Sequence, residues 1–218
     1  LTSMVRKGGT LYGVVYFTYP VSRTEERMIY WTSRDRGHTW IRREGRVVVP
    51  DSLALPEGKG VWGSLLFHRG MEVLRDGSLQ GVMYGHAGKE KKDTSVLVRS
   101  DDNCRNWHVV SVIAAGVPPD SAFHNAEGYC EPTFARVKDG SLLCVMRIGS
   151  SMPLFQARSL DQGRSWTTPV MLPGLSSTDA ESVCPQLLLL KSGVLALSYG
   201  RPHDRIALSA DGSGNRWD

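Results

Sequence analysis

The polar side chains best placed to do chemistry in this 218-residue chain stand at the ends of apolar runs. Arg147 closes the run Leu142-Leu143-Cys144-Val145-Met146, where a cation is costly unless it meets solvent or a partner. Glu131 opens Glu131-Pro132-Thr133-Phe134 shortly before it, so a carboxylate and a guanidinium are expected at one mouth, a pair able to hold an anion or to orient an acid. Tyr199 and Arg201 close a later apolar run and offer a phenol and a second cation; a strand-end tyrosine also serves as a wall, and a strand-end arginine as a solvated charge. The long connection from Ala114 to Cys130 carries Asp120, His124 and Glu127, and long connections in compact domains are often functional. The cluster Lys89-Glu90-Lys91-Lys92-Asp93 reads as a solvated hairpin tip.

Other chemistries lack their signatures. There is no H-E-x-x-H, G-x-S-x-G, G-x-x-x-x-G-K-[ST] or G-x-G-x-x-G. Cys104, Cys130, Cys144 and Cys184 are far apart, with no C-x-x-C and no histidine cluster, so they read as buried or half-buried free thiols and no metal site is expected. Hydrophobic residues at 41% and charged residues at 22% are those of a globular chain, and a net charge of +4 is too weak and too scattered to indicate nucleic-acid binding, so no nucleic-acid partner is expected. The longest purely aliphatic stretch, Leu187 to Leu190, is far too short to span a bilayer as a helix. No signal segment opens the chain, which begins at Leu1 rather than Met; the expectation is a missing N-terminus, with the compartment open and secretion or a periplasmic location compatible.

The elements that must position these residues are written in an internal repeat. Ser33-Arg-Asp35-Arg-Gly37-His-Thr-Trp40 recurs as Ser100-Asp-Asp102-Asn-Cys-Arg-Asn-Trp107 and as Ser159-Leu-Asp161-Gln-Gly163-Arg-Ser-Trp166. A fourth copy runs from Ser209 through Asp211 to Trp217 with one insertion. Upstream of each box lies a tight-turn signal: Gly8-Gly9, Asp76-Gly77, Asp139-Gly140 and Ser192-Gly193, each leading into an apolar strand. Strands are expected at 11–17, 28–32, 80–84, 95–99, 142–146, 154–158 and 194–199, with little or no helix because no stretch keeps a 3.6-residue apolar period. In each box a short aspartate accepts backbone N–H bonds, glycine allows the turn and tryptophan plugs a neighbouring sheet, so these aspartates read as structural.

The turn glycines recur about every 60 residues, a period that suits four-stranded antiparallel blades of a β-propeller. The boxes resemble the Asp boxes of the sialidase (neuraminidase) superfamily, and the hairpin before each box is similar to that family. The resemblance covers nearly the whole chain. It implies an all-β, six-bladed propeller of roughly 370 residues, of which residues 1–218 make about 3.6 blades, near 1–60, 61–125, 126–178 and 179–218. The chain is therefore expected to be a piece of a larger propeller.

The resemblance also places the ligand where first strands begin and second strands end. Counting back from the turn glycines gives His68, Glu131 and Cys184; counting forward gives Tyr84, Arg147 and Arg201, with His86 just beyond Tyr84. It implies an exo-sialidase-like hydrolase acting without metal or cofactor on a sialylated or other acidic glycan. Arg147 and Arg201 would hold the sugar carboxylate, a Tyr/Glu pair such as Tyr199 and Glu131 would attack, and His68, Tyr84, His86, His124 and Glu127 would line the funnel. Two features of the family are not found: its Arg-Ile-Pro segment and a placeable acid/base aspartate. The alternatives are an enzyme for another acidic sugar and a non-catalytic glycan- or protein-binding propeller.

Overall fold

The computed structural model describes all residues except 59–62, 90, 176–182 and 202. Fifteen strands dominate it: β1 (Ser3–Lys7), β2 (Thr10–Pro20), β3 (Glu25–Ser33), β4 (Ile41–Val48), β5 (Leu66–Val73), β6 (Leu79–His86), β7 (Asp93–Ser100), β8 (Asn106–Ala115), β9 (Cys130–Arg136), β10 (Leu142–Arg147), β11 (Phe155–Ser159), β12 (Val170–Met171), β13 (Val183–Leu189), β14 (Leu195–Gly200) and β15 (Arg205–Ser209). Among the described residues helix is confined to short 3-10 turns such as Asp51–Leu53 and Ser121–Phe123. The strands form four successive antiparallel meanders, β1–β4, β5–β8, β9–β12 and β13–β15, called blades below. Their first strands lie side by side. Parallel pairing of β4 with β8 and of β5 with β9 joins the first three blades into one sheet, which is not closed on itself.

The same turn joins the first and second strands of every blade. Gly9, Gly77, Gly140 and Gly193 have φ of 82°, 83°, 86° and 87°, a left-handed conformation that glycine adopts without a Cβ penalty. Asp76 and Asp139 brace two of these turns by accepting from the Ser78 and Ser141 N–H groups.

The boxes also share one bonding scheme. The serine hydroxyl donates to the aspartate (Ser33 to Asp35 2.7 Å, Ser100 to Asp102 3.0 Å, Ser159 to Asp161 2.9 Å, Ser209 to Asp211 3.0 Å) and accepts from the N–H of Gly37, Cys104, Gly163 or Gly214. Bonds from the Ser165 hydroxyl and N–H, then from Ser159, pull the Asp161 carboxyl down to about 2, so it stays ionised as an acceptor. At Gly163 a Cβ would fall 2.2 Å from a Leu97 methyl of the preceding blade, which with φ of +87° explains the glycine there.

Each box tryptophan after Trp40 reaches back across a blade interface. Trp107 packs edge-on to Phe67 in a cluster with Val14, Met28 and Val47 of the first blade. Trp166 donates to Ser111 of the second blade, and Trp217 donates to Gln156 of the third, each at 3.0 Å. Trp107 and Trp217 are fully buried; at 150–250 Å² per ring such a plug contributes about 4–6 kcal/mol as an upper bound. Trp40 stays partly exposed and donates to its own Gly37 carbonyl.

Irregularities in the ladders do the positioning. Between the pairs Phe67↔Met83 and Met71↔Gly81, β5 carries extra residues; β9 does the same between Cys130 and Thr133, and β13 between Val183 and Gln186. His68, Glu131 and Cys184 fall in these bulges, and Tyr16 falls in the one in β2 between Val14 and Thr18. A bulge bends the strand and re-aims its side chain. Glu131 and Cys184 take φ of +46° and +53°, unusual for residues with a Cβ.

Candidate functional site

Glu131 and Arg147 meet. Cys130 pairs with Arg147 across β9 and β10, and the bulge turns Glu131 toward the guanidinium, 3.2 Å from Nη1. Nη2 donates to Glu127 at 2.7 Å and to the Ser150 hydroxyl at 3.0 Å, and Nη1 also lies 3.7 Å from the Cys130 sulfur. The second oxygen of Glu131 accepts from the Cys184 N–H at 2.7 Å. Arg147 thus ties two carboxylates together, with only a tenth of its side chain exposed.

The Glu127 segment is held from both sides. Its carbonyl accepts from the Asp93 N–H at 3.0 Å, and its own N–H donates to Ile148 at 2.8 Å. Gly128 bridges Asp93 at φ +117°, where a Cβ would lie 2.3 Å from the Asp93 nitrogen. Asp93 is consequently no part of a solvated tip, as the charge run suggests; it opens β7 with a side chain 16% exposed, while Glu90 of that run lies outside the described residues. Burial, reinforced by the charges of Glu127 and Glu131 and opposed by His86 and Arg147, raises its carboxyl to about 6. His86 Nε2 stands 3.6 Å from Asp93.

On the other side of Glu131 lie aromatic groups. His68 is buried, with Nδ1 3.0 Å from the Pro132 carbonyl, and burial pushes its imidazole down to about 4, leaving it neutral at pH 7. Its ring packs edge-on to Tyr84 and Tyr16, whose hydroxyls share a short hydrogen bond. Burial raises both phenols, strongly for Tyr84; Tyr84 bonding to Tyr16 works against the rise at Tyr16, and the Glu131 charge adds to it at both. Arg69 donates to the Cys184 carbonyl at 2.8 Å.

Among the described residues two groups have donor sets that suit a metal: His68, Glu131 and Cys184, and Asp93, Glu127 and Cys130, each with ligand atoms within 4.8 Å of one another. In both, a guanidinium already holds the carboxylate: Arg147 bonds Glu131 in the first and Glu127 in the second, as well as approaching Cys130. All four cysteines are free, three buried and Cys184 half-buried.

Tyr199, Arg201, His124 and Asp120 have other surroundings. Tyr199 packs with Leu143, Leu197 and Trp217 in an apolar cluster and is 6% exposed, because Leu195, Leu197 and Tyr199 share one face of β14 and go into the core together. Arg201 is exposed at the turn beyond β14, with φ of +85°, and Pro202 lies outside the described residues. His124 faces its own 3-10 turn, a ring nitrogen 2.6 Å from the Ser121 carbonyl, and Asp120 caps that turn by accepting from Ala122 N–H. Tyr16, Asp93, Arg69 and Ser150 join the site without having been singled out. A surface cleft of about 720 Å³ lies between the first two blades near Asp35, Arg43 and Arg105 and contains none of these groups.

A family model described as a BNR repeat-like domain matches residues 3–218. The chain belongs to that family. No curated protein matches it. Among solved structures, this BNR-repeat chain is similar to a protein of unknown function from Dyadobacter fermentans (16% identity, TM-score 0.66, 99% of this chain and 62% of that one). It is also similar to a Hadza microbial sialidase (20%, 0.56, 88% and 36%) and to a Trypanosoma rangeli sialidase in complex with sialic acid (12%, 0.60, 96% and 36%). The chain spans less than two thirds of each of these neighbours. At these identities the likeness is one of fold. Among its described residues no helix is long and apolar enough to cross a membrane.

Proposed function

We propose that this BNR propeller is a glycoside hydrolase acting on terminal acidic sugars, sialic acid foremost, and that residues 1–218 are one part of a six-bladed ring divided near 60, 125 and 178. The observation that carries the reading is the buried Glu131–Arg147 pair at the mouth, flanked by a phenol pair and by a carboxyl raised to about 6. The guanidinium offers a charged donor that fits a sugar carboxylate. Tyr16, the less buried of the two hydrogen-bonded phenols, is the nucleophile in place of Tyr199. Glu131 takes its proton as its oxygen attacks the anomeric carbon, and Asp93 gives a proton to the departing glycosidic oxygen. Water then attacks the glycosyl–tyrosine, giving a proton to Asp93 while Glu131 returns its proton to the departing Tyr16 oxygen, so that the anomeric configuration is retained.

The test is kcat/KM on an aryl α-sialoside, measured on the complete protein and on Arg147→Lys. Lysine keeps the charge but not the fork. A loss of about 30-fold or more, with an unchanged melting profile, supports the clamp; an unchanged rate removes Arg147 from it. Sialoside binding without turnover in the wild type identifies a non-catalytic glycan-binding propeller instead.

A further inference from the structure

Resting on the reading of Arg147 as the carboxylate clamp, we infer that Glu127 determines specificity at this site by occupying, with its own carboxylate, the place that a ligand carboxylate must take. The two ends of the guanidinium are already used, Nη1 by Glu131 and Nη2 by Glu127 and Ser150. With a tenth of the side chain exposed, Arg147 offers no open edge to a third anion. One of its partners has to leave.

The two carboxylates are not equally free to do so. Glu131 is 16% exposed in its side chain and is held at its other oxygen by the Cys184 N–H. Glu127 is 49% exposed, and among the described residues Arg147 is the one group bonded to its carboxylate. Its backbone is fixed on Asp93 and Ile148, so release needs a side-chain rotation and no movement of the segment. A ligand carboxylate arriving at Nη2 replaces one carboxylate–guanidinium bond with another and inherits the Ser150 hydroxyl.

The exchange has a consequence for selectivity. A small carboxylate such as acetate gains nothing from it, because the bond it makes equals the bond it breaks. A carboxylated sugar brings further contacts with the mouth and shows a net gain. Affinity at this site is therefore a difference between two similar interactions, which rejects small anions by competition rather than by shape. A neutral sugar leaves the Glu127–Arg147 bond in place and draws nothing from the guanidinium.

The experiment is calorimetric titration of the complete protein with N-acetylneuraminic acid and with acetate, in the wild type, Glu127→Gln and Glu127→Ala. Gln is isosteric and removes the charge; Ala removes the side chain and serves if the amide still bonds Arg147. The expected result is sialic acid bound roughly three- to tenfold more tightly by Glu127→Ala than by the wild type, the scale of a part-exposed ion pair, with Glu127→Gln between or equal to it. Acetate should compete with sialic acid in the variants and not in the wild type. Equal or weaker sialic acid binding in both variants overturns the role of Glu127 while leaving the clamp standing. Failure of sialic acid to bind wild type and variants alike overturns the clamp reading, and the role of Glu127 with it.

Discussion

Glu26 is fully buried, and its substitution by glutamine should change the pH dependence of folding. One carboxylate oxygen accepts from the Leu65 N–H at 2.7 Å, the other has no partner among the described residues, and burial raises the carboxyl from 4.5 to about 8. A carboxyl whose folded value is raised keeps its proton in the native state while the unfolded chain loses it. Stability is therefore fully present below about 4.5 and is lost as pH rises through the window up to about 8. Between pH 5 and pH 7 the folded group stays largely protonated and the unfolded one ionises, which at 1.36 kcal/mol per unit corresponds to about 2–3 kcal/mol lost. Glu26→Gln cannot ionise. Urea unfolding of wild type and variant at the two pH values should give stability profiles that converge or cross, with the variant gaining about 2–3 kcal/mol relative to wild type on going from pH 5 to pH 7. The groups at Asp93 and His68 titrate in both proteins and cancel in the difference. Parallel profiles would refute the buried, protonated state of Glu26. Its location gives the result functional weight, since Thr18 and Leu65, which it joins, flank the segments that carry Tyr16 and His68.

Other outcomes follow from the same geometry. With Asp93 raised to about 6 and used as its acid, kcat/KM should fall as pH rises above about 6; Asp93→Asn should remove that limb and cost about 10²–10⁴ in rate, and a retained limb would assign it to another group. Gly128→Ala forces a Cβ to 2.3 Å from the Asp93 nitrogen, and a loss of about 2 kcal/mol or more is expected in denaturant unfolding, together with reduced activity from a displaced Glu127. Trp107→Ala should cost about 3–5 kcal/mol and Trp40→Ala clearly less, because Trp107 fills an interface between blades and Trp40 is partly exposed; thermal melts of the two compare them directly.

Much of the scaffold was legible because its determinants are local. A left-handed glycine at each turn and a serine–aspartate bond in each box need no long-range information, so Gly77, Gly140, Asp102 and Asp161 announce their roles in the chain itself. Counting from those turns reached His68, Glu131 and Cys184 together because equal turns keep equal registers, and all three fall in corresponding bulges. The same counting set Tyr199 just before Arg201, but a strand end does not say which face its last side chain takes, and Leu195 and Leu197 draw Tyr199 inward. Asp93 was obscured by the charges before it; its burial arises from the bridge to Gly128, a contact made through a distant loop. Tyr16 was missed because its bulge lies in the second strand of its blade, outside the pattern the turns define.

The most direct test of the account is the ratio of kcat/KM for an aryl α-sialoside to that for the same glycoside with its carboxylate converted to a carboxamide, measured on the complete wild-type protein. If Arg147 and Glu131 form the mouth of an acidic-sugar hydrolase, the carboxylate substrate should be favoured by about 100-fold or more, the scale of a charged hydrogen-bonded pair in a largely buried site. A ratio near one, with turnover of both, would contradict it.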